Sequence, residues 1–273
     1  MIVPNQAEHF VLTRFNVRYS NEAVPRVLRD DWLEQRFELF ERWCVPTLAS
    51  QEGPTRRWLI FVDGETPSKW LERLKRSRAN VNIEPVRVVG RWSDDQCKTL
   101  VRAQMTGNSP SLITTRIDND DAVHRSYLET IFEVAQAGPR QFVNAPSGLR
   151  LQGERLYRQR DRHGPFLSLV EPTTTALPMT VFSAPHHRVT RVAPVMQLPG
   201  GPWWIQVIHS SNFANGVEGM PVRDLGSLRT GFDVDLPAQR PLSHLSVLGE
   251  SFVAALNTTA HRMRRSAGRR LGR

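Results

Sequence analysis

Three aspartates lie close together at the end of the segment Ser111-Leu-Ile-Thr-Thr-Arg-Ile-Asp-Asn-Asp-Asp121. The apolar run before Asp118 predicts a strand, so the carboxylates follow its end and do not enter a core. Mg²⁺ and Mn²⁺ prefer oxygen ligands of this kind and leave coordination positions free for substrate phosphates. Asp118 and Asp120 are therefore candidate ligands of a metal held on a diphosphate. Asp121 either caps the next helix or binds a water on the metal.

The Asp-x-Asp pattern is weak evidence on its own. Asp233-Val-Asp235 repeats it without a comparable setting, and acidic residues ahead of a helix commonly serve as caps. The first cluster differs because an apolar strand precedes it and a helical pattern follows. That context favours a site at the edge of a sheet.

Strands and helices alternate along the first half of the chain. Five short apolar runs predict strands at Phe10–Val17, Trp58–Val62, Asn82–Val89, Ser111–Ile117 and Gln141–Asn144. Helical patterns separate them: the first begins near Asp30 and stops before Pro46, two begin at the capping residues Thr66 and Ser93, and the last begins near Asp121. Such alternation predicts a mostly parallel sheet flanked by helices, with ligands bound beyond the carboxyl ends of the strands.

The second half has a different pattern, with shorter strands and tight turns. The predicted strands are Leu149–Gln152, Arg155–Gln159, Phe166–Val170, Met179–Phe182 and Trp203–Ile208. They predict antiparallel additions that complete a cleft, followed by a last helix at about 245–265. We therefore expect one domain over residues 1–260, with a nucleotide-binding half at 1–145 and a cleft-completing half at 146–260. A basic tail follows at 261–273.

Charge and cysteine content exclude several classes of protein. The 273 residues carry a formal net charge of +9, but six arginines and no acid fall in 261–273, so the preceding residues carry only +3. Cys44 and Cys97 have neither metal-type nor disulfide-type spacing, which fits a reducing compartment. The first residues lack a secretory pattern, and proline and polar residues interrupt the apolar stretch 192–217. We expect a cytoplasmic protein without a membrane span.

Four segments carry a resemblance to a known family. They are Thr13-Arg-Phe-Asn-Val-Arg18, Trp58-Leu-Ile-Phe-Val-Asp-Gly-Glu-Thr-Pro67, Thr115-Arg-Ile-Asp-Asn-Asp-Asp-Ala122 and Trp204-Ile-Gln-Val-Ile-His-Ser-Ser-Asn212. In these segments the chain resembles the family called putative rhamnosyltransferases. The resemblance implies a GT-A-like α/β fold whose mixed C-terminal half completes the cleft on the acceptor side. It also implies a glycosyltransferase that takes its sugar from a nucleotide-sugar donor.

The resemblance implies roles for individual residues on the donor side. The first strand, its following loop and the end of the second strand would hold the base or ribose through Thr13, Arg14, Phe15, Asn16 and Asp63. Structural interpretations stay open as well: core packing for Phe15, a surface ion pair for Arg14 and a turn for Asp63. Arg116 shares a strand face with Asp118, so it would orient that carboxylate, reach a phosphate or simply neutralise the cluster.

The implied cofactor is Mn²⁺ or Mg²⁺ on Asp118 and Asp120. Such an ion would stabilise the nucleoside diphosphate as it leaves. GT-A enzymes often take a third ligand, commonly a histidine, from late in the fold. His209, at the end of a predicted strand, is our choice, and His186 and His187 are the competitors.

An inverting enzyme also needs a carboxylate that accepts the proton of the acceptor hydroxyl. Glu171 follows an apolar strand and precedes Pro172, so we predict that it is the catalytic base. Asp161 and Glu154 are alternatives. A turn cap remains the structural interpretation of Glu171, and a retaining enzyme would not need this base.

The expected acceptor is a carbohydrate or a lipid-linked glycan of envelope or polysaccharide synthesis. The basic tail suits the anionic inner face of the plasma membrane, and a solvated tail is the other interpretation. Two further functions stay open. Metal-bound carboxylates also hydrolyse phosphate esters, as in a phosphoesterase or nuclease. An arginine cluster also suits nucleic acid, which we do not expect as a partner because the body is nearly neutral.

Overall fold

The computed structural model describes residues 7–20, 25–53, 56–77, 82–135, 139–173, 177–209, 219–222 and 231–237. Its strands are β1 (Ala7–Arg14), β2 (Arg57–Asp63), β3 (Ile83–Val88), β4 (Ser111–Arg116), β5 (Ala122–Val123), β6 (Gln141–Asn144), β7 (Ser147–Gln152), β8 (Arg155–Arg160), β9 (Leu167–Pro172), β10 (Val195–Gln197), β11 (Trp204–Ile208) and β12 (Met220–Pro221). Its α-helices are α1 (Asp30–Leu39), α2 (Val45–Ala49), α3 (Ser68–Ser77), α4 (Asp94–Gln104) and α5 (Tyr127–Val134).

The larger sheet has seven strands in the order β10-β6-β9-β4-β1-β2-β3. β3, β2, β1 and β4 run parallel, so their carboxyl ends meet at one edge. β9 runs antiparallel to both of its neighbours, β4 and β6. The predicted α/β class with a mostly parallel sheet is confirmed. The segment expected as a peripheral addition, β9, instead lies inside this sheet.

The smaller sheet has five strands in the order β12-β8-β7-β11-β5. β7 and β8 form an antiparallel hairpin, and β11 lies parallel to β7. β5 directly follows the aspartate cluster and pairs with the start of β11, where Trp204 lies opposite Val123. The helix expected from Asp121 begins only at Tyr127. Ala122 and Val123 form β5 instead, because they pair with the distant strand β11. The second sheet starts where the aspartates end.

Two other local predictions are wrong. The helix from Asp30 does not end before Pro46 but continues through a π-helical segment at Phe40–Cys44 into α2. Pro46 lies in the first turn of α2, where a missing N–H is tolerated. Residues 179–182 form no strand, and Thr180 has a left-handed backbone with φ 63°.

Apolar layers cover both faces of the larger sheet. Val11 of β1 packs with residues of α1, α3 and α5, whereas its neighbour Leu12 packs with residues of α4 on the other face. This alternation follows from the two-residue period of a strand. No helix in the described ranges is long and apolar enough to cross a bilayer. The predicted last helix and the basic tail lie outside those ranges.

Candidate functional site

A cavity of about 820 Å³ opens at the carboxyl edge of the parallel strands. The loop after β1 and the residues after β4 form its floor, α1 forms one wall, and β11 contributes from the smaller sheet. The charged and polar residues that line it include Arg14, Asn16, Arg18, Arg26, Arg36, Arg116, Asp118, Asn119, Asp120, Asp121, His186 and Gln206. The sheet topology thus collects the acidic cluster and several arginines around one space.

Asp120 meets two side chains from distant parts of the chain. Its Oδ2 atom accepts hydrogen bonds from Arg36 Nη1 at 2.7 Å and from His209 Nε2 at 2.9 Å. Arg36 comes from α1, and His209 directly follows β11. Asp120 is only 8% exposed, so these partners neutralise a carboxylate with little access to water. The structure brings together the predicted pair Asp120 and His209.

Asp118 faces an arginine of its own segment. Arg116 Nε and Nη2 bind its two carboxylate oxygens at 3.0 Å and 2.5 Å. Partial burial opposes ionisation of this carboxyl, but the charge and hydrogen bonds of Arg116 outweigh burial and keep its pKa below the ordinary value. The side chain of Asp118 is 30% exposed. Arg116 therefore orients Asp118, as one of the sequence interpretations expects.

Asp121 points away from the helix that it was considered to cap. Its Oδ1 atom accepts a hydrogen bond from the backbone N–H of Val207 in β11 at 3.1 Å, and Ser126 occupies the N-cap position of α5. Burial raises the pKa of Asp121 well above the ordinary value, and the charges of Asp120 and Asp118 act in the same direction. The residue joins the two sheets beneath the cavity.

Asp120 and His209 are suitable donors for a hard divalent cation. No group of three His, Cys, Asp or Glu side chains converges as a metal site among the described residues. Mg²⁺-type ions, however, commonly use one or two carboxylates and complete their coordination with waters and substrate phosphates. Asp120 Oδ2 and His209 Nε2 fit such an open site when His209 carries its proton on Nδ1, so that the ion replaces the hydrogen bond between the two atoms. Asp118 is a less direct fit because both of its oxygens face Arg116.

The competing histidines are placed differently. His186 lines the cavity, but its Nδ1 atom contacts the backbone carbonyl of His163. Burial lowers the pKa of His186 below its ordinary value. His187 is exposed. His186 acts on Asp118 through its charge without a hydrogen bond between them, whereas His209 is hydrogen-bonded to Asp120.

Asp63, at the end of β2, has its oxygens occupied within the protein. Arg18 Nε and Nη2 bind them at 2.5 Å and 2.8 Å, and the backbone N–H of Glu65 donates at 2.8 Å. The Asp63 side chain is fully buried, whereas Arg18 lines the cavity. Asp63 therefore holds the Arg18 side chain in position at the cavity. Arg18 was not predicted as a site residue, although it is the last residue of the segment that starts at Thr13.

Thr13, Phe15 and Asn16 shape the loop after β1. Thr13 Oγ1 donates to the carbonyl of Ile117 at 2.7 Å and is fully buried, so it ties β1 to the residues after β4. The Phe15 ring packs against Phe37 with ring centroids 4.8 Å apart. Asn16 donates to Thr66 Oγ1 at 2.9 Å and accepts from the backbone N–H of Asp63 at 3.3 Å. The core-packing interpretation of Phe15 describes its contact with Phe37, while Thr13 and Asn16 are held by hydrogen bonds within the protein.

Arg14 lies half-buried at the cavity wall. Its guanidinium carbon is 4.4 Å from the ring centroid of Phe182 and 5.6 Å from that of Tyr19. The surface ion pair considered from the sequence is not found within the described residues, because no carboxylate lies within ion-pairing distance of this guanidinium there. Arg36 and Gln206 are further cavity residues that the sequence did not reveal. Their helix and strand patterns carry no local signal for the site.

Glu171 does not reach the cavity. Because β9 is antiparallel to β4, Glu171 lies opposite Leu112, near the start of β4 and at the other edge of the sheet. Its oxygens accept hydrogen bonds from the backbone N–H groups of Met179 at 2.9 Å and Thr180 at 3.0 Å, and from Arg140 at 3.3 Å. This environment anchors a loop and does not support the predicted role of catalytic base.

The two alternative carboxylates lie elsewhere. Asp161 follows β8, accepts a hydrogen bond from the backbone N–H of His163 at 2.9 Å and interacts electrostatically with the cavity residue His186. Glu154 is exposed in the turn between β7 and β8. Asp161 thus interacts with a residue of the cavity.

A family model described as putative rhamnosyl transferase matches residues 12–220. Among solved structures, the chain is similar to S. aureus TarS 1-349 in complex with UDP, at 12% identity and a TM-score of 0.44 over 74% of this chain and 60% of that chain. It is also similar to a 4-diphosphocytidyl-2C-methyl-D-erythritol synthase, at 13% identity and a TM-score of 0.36 over 72% and 91% of the two chains. A third is HddC from Yersinia pseudotuberculosis complexed with GMP-PN, at 10% identity and a TM-score of 0.31 over 74% and 89%.

The chain spans 60% of the length of the TarS 1-349 structure. No curated protein sequence matches the chain. The family match, in contrast, includes the loop after β1, the aspartate cluster and His209. This chain therefore belongs to the family described as putative rhamnosyl transferase.

Proposed function

We propose that this protein is a glycosyltransferase that moves a sugar from a nucleotide-sugar donor to a hydroxyl of a glycan acceptor, and that it depends on Mn²⁺ or Mg²⁺. The observation that carries the proposal is the 2.9 Å contact between Asp120 Oδ2 and His209 Nε2 beside the cavity at the carboxyl edge of the sheet. Family membership supports the class of reaction. Rhamnose is the sugar that the family description favours.

Asp120 and His209 would hold the metal ion, with Asp118 retained as a predicted third ligand. The bound ion supplies positive charge that stabilises the diphosphate as it leaves the sugar. Arg36 binds the same Asp120 oxygen and also donates to Asn119 Oδ1 at 3.3 Å, which helps to fix the orientation of the carboxylate. This arrangement supports a donor phosphate group at the centre of the cavity.

The acceptor would enter from the side of the smaller sheet. Gln206 and Ile208 of β11 line the cavity, and Gln206 Oε1 accepts a hydrogen bond from Arg150 Nε at 3.1 Å. Polar, planar side chains of this kind suit the hydroxyl groups of a carbohydrate. A lipid-linked acceptor and membrane contact through residues 261–273 remain predictions, because that segment lies outside the described ranges.

Thermal unfolding of the full chain against a panel of nucleoside diphosphates, with and without Mn²⁺, tests the donor site. A ligand that binds the native state raises the melting temperature. We expect one nucleoside diphosphate to stabilise the protein only when Mn²⁺ is present. Transfer assays with the corresponding nucleotide sugars then identify the product.

Two variants make this experiment specific. Asp120→Asn should lose the metal-dependent stabilisation, whereas Asp233→Asn should keep it, since Asp233 belongs to the second Asp-x-Asp sequence and is exposed. The proposal is wrong if no nucleoside diphosphate stabilises the protein. It is also wrong in its metal assignment if folded Asp120→Asn transfers sugar as fast as the unmodified protein.

A further inference from the structure

Four half-buried arginines lie over aromatic rings in the described part of the chain. They are Arg14, Arg36, Arg57 and Arg73. Three of them also pair with carboxylates, in the pairs Arg36–Asp120, Arg57–Glu84, Arg73–Glu34 and Arg73–Glu41. Arg14 has the rings but no carboxylate within ion-pairing distance among those residues. It is also, with Arg36, one of the two that line the cavity.

Arg14 is positioned by aromatic faces instead of by an acid. Its guanidinium lies 4.4 Å from the Phe182 centroid, 5.6 Å from that of Tyr19 and 5.9 Å from that of Trp92. Its Nε atom is buried and has no hydrogen-bond partner. Asp118, the nearest acid of the cluster in sequence, gives both of its oxygens to Arg116. Aromatic rings therefore hold the Arg14 guanidinium, and Asp118 and Asp94 act on it through their charges without forming an ion pair.

Such an arrangement compensates the charge of Arg14 only in part, and an anion in the cavity would complete the compensation. A charged group removed from water requires a partner, and aromatic faces compensate only part of the lost solvation. The planar fork of a guanidinium matches the oxygens of a phosphate, and a rigid stack reduces the entropy lost on binding. Arg14 therefore has the charge, the planar shape and the fixed position of an anion-binding side chain.

The neighbouring strand supplies a second cation on the same side. In the register of β1 with β4, Leu12 lies opposite Arg116, so the side chain of Arg14, two residues further along β1, leaves the sheet on the same face as Arg116. Both arginines line the cavity. Arg14 and Arg116 thus present two cations to the same space as Asp118 and Asp120.

We propose that Arg14, stacked in this cage of Phe182, Tyr19 and Trp92, binds a phosphate oxygen of the donor's diphosphate. The inference rests on the proposed function and deepens it, since it assigns Arg14 to the diphosphate and not to the base or ribose. The cage fixes the direction of the guanidinium, and its Nη groups supply the hydrogen bonds. Phe182 comes from the loop that Glu171 anchors through Met179 and Thr180.

Isothermal titration calorimetry of the full chain with inorganic pyrophosphate, at low ionic strength and both with EDTA and with Mn²⁺, tests the proposal. Arg14→Gln should weaken pyrophosphate binding at least about tenfold, because a charge-assisted hydrogen bond is lost. The matched control is Arg73→Gln, which also removes a ring-stacked arginine but lies outside the cavity. It should leave pyrophosphate binding unchanged.

Thermal unfolding of the same two variants gives an independent readout. Arg14→Gln should lower the melting temperature less than Arg73→Gln does, since Arg14 forms no ion pair among the described residues. Arg73→Gln should lower it, since it breaks ion pairs with Glu34 and Glu41. Opposite behaviour of these two arginines is the expected signature of a ligand-binding residue and a structural one.

Three results would overturn the proposal: no pyrophosphate binding by the unmodified protein under either condition, equal binding by Arg14→Gln, or a loss for pyrophosphate with no loss for the nucleoside diphosphate found in the unfolding panel. The last result would mean that Arg14 binds an anionic group of the acceptor and not the diphosphate of the donor. A protein that binds pyrophosphate through Arg14 but transfers no sugar would refute the proposed function, and Arg14 would then be assigned to a diphosphate that is not a sugar donor.

Discussion

The two edges of the larger sheet each hold a buried carboxylate, and their surroundings differ. Asp120, at the carboxyl edge, is 8% exposed and takes its hydrogen bonds from the side chains of Arg36 and His209 beside a cavity of about 820 Å³. Glu171, at the amino edge, is 2% exposed and takes two bonds from backbone N–H groups beside a cavity of about 50 Å³. Burial alone therefore does not identify a functional carboxylate.

The type of partner makes the difference between these carboxylates. Backbone N–H groups cannot move without unfolding the loop, so Glu171 is committed to its structural contacts. Side chains can rotate, so Arg36 and His209 can exchange Asp120 for a ligand in the cavity. A site that must bind and release substrate needs partners of the second kind.

Asp120→Asn should have the largest functional effect. Loss of the carboxylate charge should reduce sugar transfer by roughly 10²-fold or more, because stabilisation of the leaving diphosphate is lost. The initial rate of transfer at saturating donor and Mn²⁺ measures this loss. Asp233→Asn, at an exposed carboxylate, is the matched control and should transfer sugar normally. Equal transfer rates for the two variants would mean that Asp120 has no functional role at the carboxyl edge.

Glu171→Gln should affect stability and spare the chemistry. An amide has only one oxygen for the backbone N–H groups of Met179 and Thr180, so one donor loses its acceptor at a cost of about 1–3 kcal/mol. Urea unfolding measures the loss, and kcat of the folded variant should remain near that of the unmodified protein. A large fall in kcat at unchanged stability would restore the catalytic interpretation of Glu171.

The pH dependence of stability tests the structural role of a buried histidine near the amino edge of the larger sheet. His9, near the start of β1, contacts Thr115 Oγ1 at 2.7 Å, and burial together with the charge of Arg56 lowers its pKa well below the ordinary 6.5. The unfolded chain then binds a proton near pH 6.5 that the folded chain does not. Stability is therefore full above that pH and falls as the pH decreases below it, by up to about 1.4 kcal/mol per unit.

His9→Gln should reduce this loss, because glutamine does not titrate and can still bond to Thr115. Urea unfolding at pH 7.5 and pH 5.5 compares the two proteins, and the difference between the two pH values should be smaller for the variant. An unchanged pH dependence would mean that His9 contributes nothing to acid destabilisation. Another titrating group would then account for the loss of stability at acid pH.

Site residues were predictable where one segment contains both the strand or helix and the side chains that act at its end. The apolar run Ser111–Ile117 ends directly before Asp118, so the acidic cluster had to lie at the end of a strand. Ser93 caps α4 as expected, with its Oγ atom accepting from the backbone N–H of Gln96 at 3.2 Å. His209 was predicted from its place after a late strand, guided by the family resemblance, and its contact with Asp120 agrees with that choice.

The sequence by itself determined the class of the fold, the strand end that carries the aspartates and the family to which the chain belongs. Only the tertiary structure decided that β9 runs antiparallel inside the larger sheet, which takes Glu171 to the edge opposite Asp120. It also decided that Arg36 meets an aspartate 84 residues away. Local patterns record burial and backbone preference, whereas strand direction and side-chain partners depend on pairing between distant segments.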